Sequence, residues 1–163
     1  MLNHAQHMKR QQGLTLIESL ISLLVISIGL LGIAALQITS LKQTSSSQWH
    51  SAAVWYNYEI TDRILANTAA FDQYNGIDTN NDYDMDCQGS ECTPAQMVVA
   101  DAEQWKQMVS NLPEGRGFIS SPAPNTLTIS VYWNDDSDES NCINGEPDAD
   151  GKTCYTVTMT TVP

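Results

Sequence analysis

The stretch "KRQQGLTLIESLISLL", residues 9–24, sets a single carboxylate, Glu18, inside an otherwise apolar run. Two bases, Lys9 and Arg10, stand in front of it, and no acid precedes Glu18. From Leu14 to Leu36, Glu18 is the sole ionisable residue. As a helix rising ~1.5 Å per residue, such a run covers roughly 35 Å, enough for a bilayer core of ~30 Å. The bases on its near side predict a cytoplasmic N-terminus, with the remainder of the chain across the membrane. A removed secretory signal is a poor account, because the run is long and no small-x-small cleavage site follows it. A buried helix of a soluble core does not fit the bases that precede an unbroken apolar run. A plain signal anchor explains length and charge but not Glu18. A carboxylate inside a membrane helix costs on the order of 2.5–3.5 kcal/mol, so it needs a partner or a role.

The sequence Gly13-Leu14-Thr15-Leu16-Ile17-Glu18 after a short basic leader resembles the prepilin signal of type IV pilins and type II secretion pseudopilins. The resemblance implies cleavage after Gly13 by a membrane prepilin peptidase, which also methylates the new N-terminus, here Leu14. Most members begin the mature chain with Phe, so Leu14 departs from the pattern. The resemblance also implies that Glu18, the fifth mature residue, pairs with the N-terminal amine of a neighbouring subunit during assembly. Two isolated charges in lipid are costly, whereas a matched pair attracts strongly at low dielectric. Glu18 would then favour the assembled state over the free subunit.

Beyond the apolar run, Trp49, Ala53, Tyr56, Ile60, Ile64 and Asn67 recur at three- and four-residue steps. That spacing predicts an amphipathic continuation of the same helix. No proline interrupts 14–93. The expected division is a leader at 1–13, a transmembrane or filament-core half at 14–38, an amphipathic half at 39–70 and a periplasmic globular domain at 71–163. Gly29 and Gly32 each cost about 1 kcal/mol against alanine, and are read as places of close helix packing. A second helix is expected at about 94–112, with Thr93 and Gln96 as a capping box and Pro94 at the first helical position. Its apolar stripe is Val98, Ala102, Trp105, Val109 and Leu112. Strands are expected at about 116–121, 126–134 and 153–162. In the second, Leu127, Ile129, Val131 and Trp133 alternate with polar residues, which predicts antiparallel pairing with one wet face. The expected fold class is α+β, a pilin fold, with a long N-terminal spine helix packed on a small antiparallel sheet.

"SIGLLGIAALQ" at 27–37, "DRILAN" at 62–67, Gly115, Gly117 and the strand ending in Trp133-Asn134-Asp135 are similar to the PilV family of minor pilins, or type IV pilus modification proteins. This resemblance implies a minor pilin in an initiating complex near the pilus tip, with other minor pilins, the major pilin and a tip adhesin as partners. It implies service in pilus assembly, adhesion and twitching motility. It places the chain in the inner membrane, single-pass, with a periplasmic domain, and later on the pilus. The other accounts considered are a minor pseudopilin of type II secretion and a signal-anchored periplasmic calcium-binding module.

The net charge is −12, with seven bases in 163 residues. Nucleic-acid binding, which needs clustered Lys and Arg, is not expected. The acids gather at 72–91 and 134–152. Asp78, Asn80, Asp82, Asp84 and Asp86 are the candidate ligands for calcium, which favours six to eight oxygens, although neither acidic stretch completes an EF-hand loop. A solvated acidic loop is the plainer account, and no cofactor is expected. Four cysteines, Cys87, Cys92, Cys142 and Cys154, predict two disulfides in an oxidising compartment. Three pairings are open, and neighbours, Cys87 with Cys92 and Cys142 with Cys154, are favoured. No catalytic constellation stands out: His4 and His7 lie in the leader, His50 has no carboxylate at helical reach, and the serines at 45–47 lack a base. The chain is not expected to be an enzyme.

Overall fold

The structure, a computed structural model, describes residues 15–85, 87, 89, 91–135 and 152–161. The chain divides into two units, Met1–Gln43 and Thr44–Pro163, each described by itself below. Helix α1, Leu16–Ala66, runs without interruption through 51 residues. It starts where the Thr15 carbonyl accepts the Glu18 and Ser19 amides, at 3.0 and 3.3 Å. An acid in the first turn is favoured there by the helix dipole.

In the second unit α1 buries Ala53, Asn57, Ile60 and Ile64. The amphipathic half was expected to reach residue 70, but it stops at Ala66. Asn67 takes a non-helical conformation. Its side-chain amide donates to the Pro94 carbonyl at 2.9 Å and to the Tyr74 hydroxyl at 3.1 Å. The chain then forms a 3-10 segment, Thr68–Tyr74, kinked at Ala70. Phe71 and Tyr74 enter the core from it.

Helix α2, Pro94–Val109, opens with both halves of the capping box in place: the Thr93 hydroxyl accepts the Gln96 amide, and the Gln96 side chain accepts the Thr93 amide. All five residues of its expected stripe are buried. It ends three residues earlier than expected. The Asn111 side chain donates to the Gln107 and Met108 carbonyls at 3.1 and 3.0 Å and so takes over the helix end.

Strands β1 (Arg116–Ala123), β2 (Thr126–Trp133) and β3 (Thr153–Thr160) form an antiparallel sheet in the order β1-β2-β3. β1 runs two residues further than expected, into the Pro124-Asn125 turn, where Asn125 adopts φ 55°. The outer edge of β1 is covered by the segment after the 3-10 turn. Gly76 and Thr79 donate to the Ile119 and Gly117 carbonyls at 2.8 and 3.0 Å, and Ile119 donates back to Ile77 at 2.9 Å.

β2 has no wet face, contrary to its alternating sequence. Thr128, Ser130 and Tyr132 are buried together with Leu127, Ile129, Val131 and Trp133. It is the central strand, and the Thr128 and Ser130 hydroxyls on its second face meet those of β3. Thr128 with Thr158 and Ser130 with Thr156 stand 3.2 Å apart. Short side chains capped by cross-strand hydroxyl bonds lose their solvent without stranding a polar group.

A buried polar residue joins α1 to the sheet. Asn57, fully enclosed, donates from its side-chain nitrogen to the Ile129 carbonyl of β2 at 3.0 Å.

Candidate assembly interface

Every residue of α1 from Leu16 to Leu41 is exposed, including Leu16 at 86 % and Leu31 at 71 %. Soluble surfaces rarely present so large an apolar area, which marks this segment as one that meets lipid or protein. α1 is the single described helix long and apolar enough to cross a membrane. Three of its hydroxyls bond within the helix: Ser22, Ser27 and Thr39 donate to the carbonyls four residues back at 2.8, 2.7 and 3.2 Å. A spanning helix must satisfy its polar groups in this way. A methyl added at Gly29 or Gly32 would meet no atom within 4 Å, so any close packing at these glycines is with another molecule. Glu18 is exposed in the first turn. Gly13 and Leu14 lie outside the described residues.

In the second unit, the residues of "DRILAN" have separate tasks. Ile64 is core. Arg63 reaches Glu59 at 2.9 Å, Asp101 of α2 at 3.1 Å and Gln104 at 2.7 Å. Burial would lower the Arg63 pKa, but the bonds to Glu59 and Asp101 outweigh it and raise the value. Asp101 is buried and also accepts the Tyr74 hydroxyl at 2.5 Å. Burial, then the Asp101 carboxylate, push that hydroxyl well above its ordinary 10.0. Asn67 completes the set through Tyr74 and Pro94. The block thus clamps the end of α1 to α2 and the 3-10 segment.

The calcium candidates are divided among other partners. Asp78 is held by Arg116, whose Nε lies 2.9 Å and whose Nη2 lies 2.5 Å from its two oxygens. Asp78 also accepts the Asn80 amide at 3.0 Å. Asp82 binds Lys106 at 2.6 Å. Asn80 and Asp84 are exposed, and Asp86 lies outside the described residues. Among the described residues, no three acids, histidines or cysteines converge on one point. Sequence spacing grouped these residues, whereas the fold pairs Asp78 with Arg116 of β1 and Asp82 with Lys106 of α2.

Burial raises the Asp78 carboxyl, but Arg116 outweighs it, and the group sits below its ordinary 3.8. A carboxyl acidified by folding stabilises the fold above its unfolded value and loses that contribution as pH falls through the folded one. Urea midpoints should therefore drop on acidification below about pH 4. Arg116→Gln should cost about 1.5–3 kcal/mol at neutral pH, because it strands a partly buried carboxylate. Burial and the Asn80 amide would then oppose one another at Asp78, and its contribution to the acid slope should shrink. An unchanged slope would contradict this pairing.

Cys87 and Cys92 form a disulfide. Cys154 is disulfide-bonded as well, and Cys142 lies outside the described residues. Glu146, Asp148 and Asp150 of the second acidic stretch also lie outside them. His50 makes edge contacts with the rings of Trp133 and Tyr155, both with centroids at 5.9 Å. Ser46 does meet a distant carboxylate, Asp135, at 3.0 Å, and Asp135 also accepts from Thr153 at 2.8 Å. Through Asp135 this bond ties α1 to the end of β2 and the start of β3.

Sequence reasoning missed Asn57, Arg63, Asp101 and Arg116 as partners. The signals available were a polar residue within an apolar helical stripe and an acid on the α2 stripe side, neither of which names its counterpart.

Comparison with known proteins gives two adjoining family matches. Residues 8–34 match the prokaryotic N-terminal methylation motif. Residues 35–103 match the type IV pilin Tt1218 family. No curated protein and no solved structure matches the chain. That pilin family is structural rather than enzymatic, and its N-terminal motif points to processing by a prepilin peptidase and to other pilus components as associates. The methylation motif, the pilin match that follows it without a gap and the apolar helix continued onto a three-stranded sheet together support a type IV pilin.

Proposed function

We propose that this pilin is a minor pilin of the PilV type that helps to initiate assembly and stays in a complex at the pilus tip. The observation that carries its role in assembly is Glu18, the lone carboxylate on an exposed apolar helix. The "DRILAN" block and a spine helix without proline support the minor-pilin assignment. The chain enters the inner membrane with its second unit in the periplasm. Cleavage after Gly13 creates an amine on Leu14, and Glu18 of one subunit receives the amine of another. The folded unit then supplies lateral surfaces for other minor pilins and a tip adhesin. No bound cofactor enters this role.

The test is the mass of the mature chain purified from membranes. A mass matching residues 14–163, with or without one methyl on Leu14, is the expected result. A chain that still begins at Met1 in cells with an active prepilin peptidase would overturn the proposal.

A further inference from the structure

Outside the membrane-length segment, four large apolar side chains of the described residues are strongly exposed, and three of them share one face of α1. They are Trp55 at 65 %, Tyr58 at 53 % and Leu65 at 52 %. Their three- and seven-residue steps place them on one stripe, turned away from the buried Ala53, Asn57, Ile60 and Ile64. Asp62 falls in the same stripe, four residues after Tyr58 and three before Leu65. Its carboxylate is exposed and has no hydrogen bond or ion pair among the described residues. Its neighbour Arg63 is taken up by Glu59, Asp101 and Gln104.

A Trp, a Tyr and a Leu around one unpaired charge have the composition of an interface hot spot. We propose that this stripe is a docking surface for the helix of a neighbouring pilin that presents one Lys or Arg among aliphatic side chains. The base would pair with Asp62, while its aliphatic flanks cover Trp55 and Leu65. Charge complementarity selects this occupant. Anionic lipid headgroups would be repelled by Asp62, and an acidic protein surface would be repelled by the chain's net charge of −12 as well. A segment of the required kind exists in this chain itself, where exposed Lys42 follows exposed Ile38 and Leu41. The inference rests on the pilin reading above and adds a second point of contact to the one at Glu18.

The test is photo-crosslinking in piliated cells, with a crosslinking amino acid at Trp55 or Leu65 and a control at Gln107, an exposed residue of α2. Adducts to another pilin at positions 55 and 65 but not at 107 are expected. Peptide mapping should place each adduct within a few residues of a Lys or Arg. Asp62→Lys should reduce pilus-associated chain by about tenfold or more, as loss of an interface anchor does. Exchange of the mapped base for Glu in the partner should restore it. Adducts only to lipid, only to a non-pilin protein, or at the level of the control would overturn the proposal. Should Asp62→Lys fail to accumulate, the crosslinks decide, because they leave Asp62 in place. A parallel Glu18→Ala strain separates the two readings: piliation lost there without adducts at 55 and 65 sinks only this inference, whereas normal piliation there sinks the pilin reading itself.

Discussion

Glu18→Ala should leave cleavage at Gly13 intact and abolish incorporation of the chain into pili. The substitution removes the one charge from the apolar surface of α1 between Leu16 and Leu41. On insertion scales this makes the free subunit more comfortable in the bilayer by about 2.5–3.5 kcal/mol. Membrane abundance should therefore hold or rise. In the assembled state the same change leaves a neighbour's amine without its counter-charge. Breaking one side of a desolvated pair costs about 3–5 kcal/mol, or roughly two to three and a half powers of ten in an association constant. Glu18→Gln should fail in the same way, because it keeps the shape and loses the charge. A generic anchor makes the opposite prediction, since it gains from either change. Immunoblots of sheared pili beside total membranes read both quantities, and wild-type amounts of the alanine variant in pili would refute a role for the charge in assembly.

Trp105→Ala should remove about 3–5 kcal/mol of stability from the second unit, the range for deleting a fully buried large aromatic. Trp105 has no exposed surface, and its indole nitrogen donates to the Tyr56 carbonyl of α1 at 3.0 Å. Its ring lies against β1 at Gly117, where an added methyl would sit 2.5–2.8 Å from three ring carbons. The glycine is needed because the strand backbone itself forms the floor under the indole. Gly117→Ala should accordingly cost about 1–3 kcal/mol by overpacking. In the Trp105→Ala background the same methyl enters a cavity, and its cost should vanish or become a gain. Contacting residues couple in this way, and distant ones add. Against a total stability of about 5–15 kcal/mol for a domain, the tryptophan change alone is a large fraction. Urea unfolding of the detergent-solubilised chain measures all four members of the cycle. Equal costs for Gly117→Ala in both backgrounds would show that the ring does not rest on this glycine.

The two experiments probe different kinds of information. The local patterns of the sequence were enough for α1, for the capping box at Thr93 and Gln96, for the stripe through Trp105 and for the three strands in order. Helix periodicity, caps and strand alternation are relations among residues a few positions apart, and they hold whatever else the chain does. The same locality explains the errors. Asn67 was read as one more helical position, and its bonds to Tyr74 and Pro94 ended the helix instead. The polar residues of β2 were read as solvent-facing, and pairing on both sides buried them.

What the sequence by itself determined is therefore the membrane-length helix with one charge, and the type and order of the elements that follow it. What only the tertiary structure decided is which polar groups meet: Asn57 with Ile129, Arg63 and Tyr74 with Asp101, Asp78 with Arg116, and the indole of Trp105 with the bare backbone of Gly117. It also decided that Trp55, Tyr58 and Leu65 stay uncovered around Asp62. The reason is the range of the forces involved. Backbone preference and amphipathic burial act within a turn or a strand, whereas a buried hydrogen bond or ion pair forms only after the topology has brought distant segments within about 3 Å of one another.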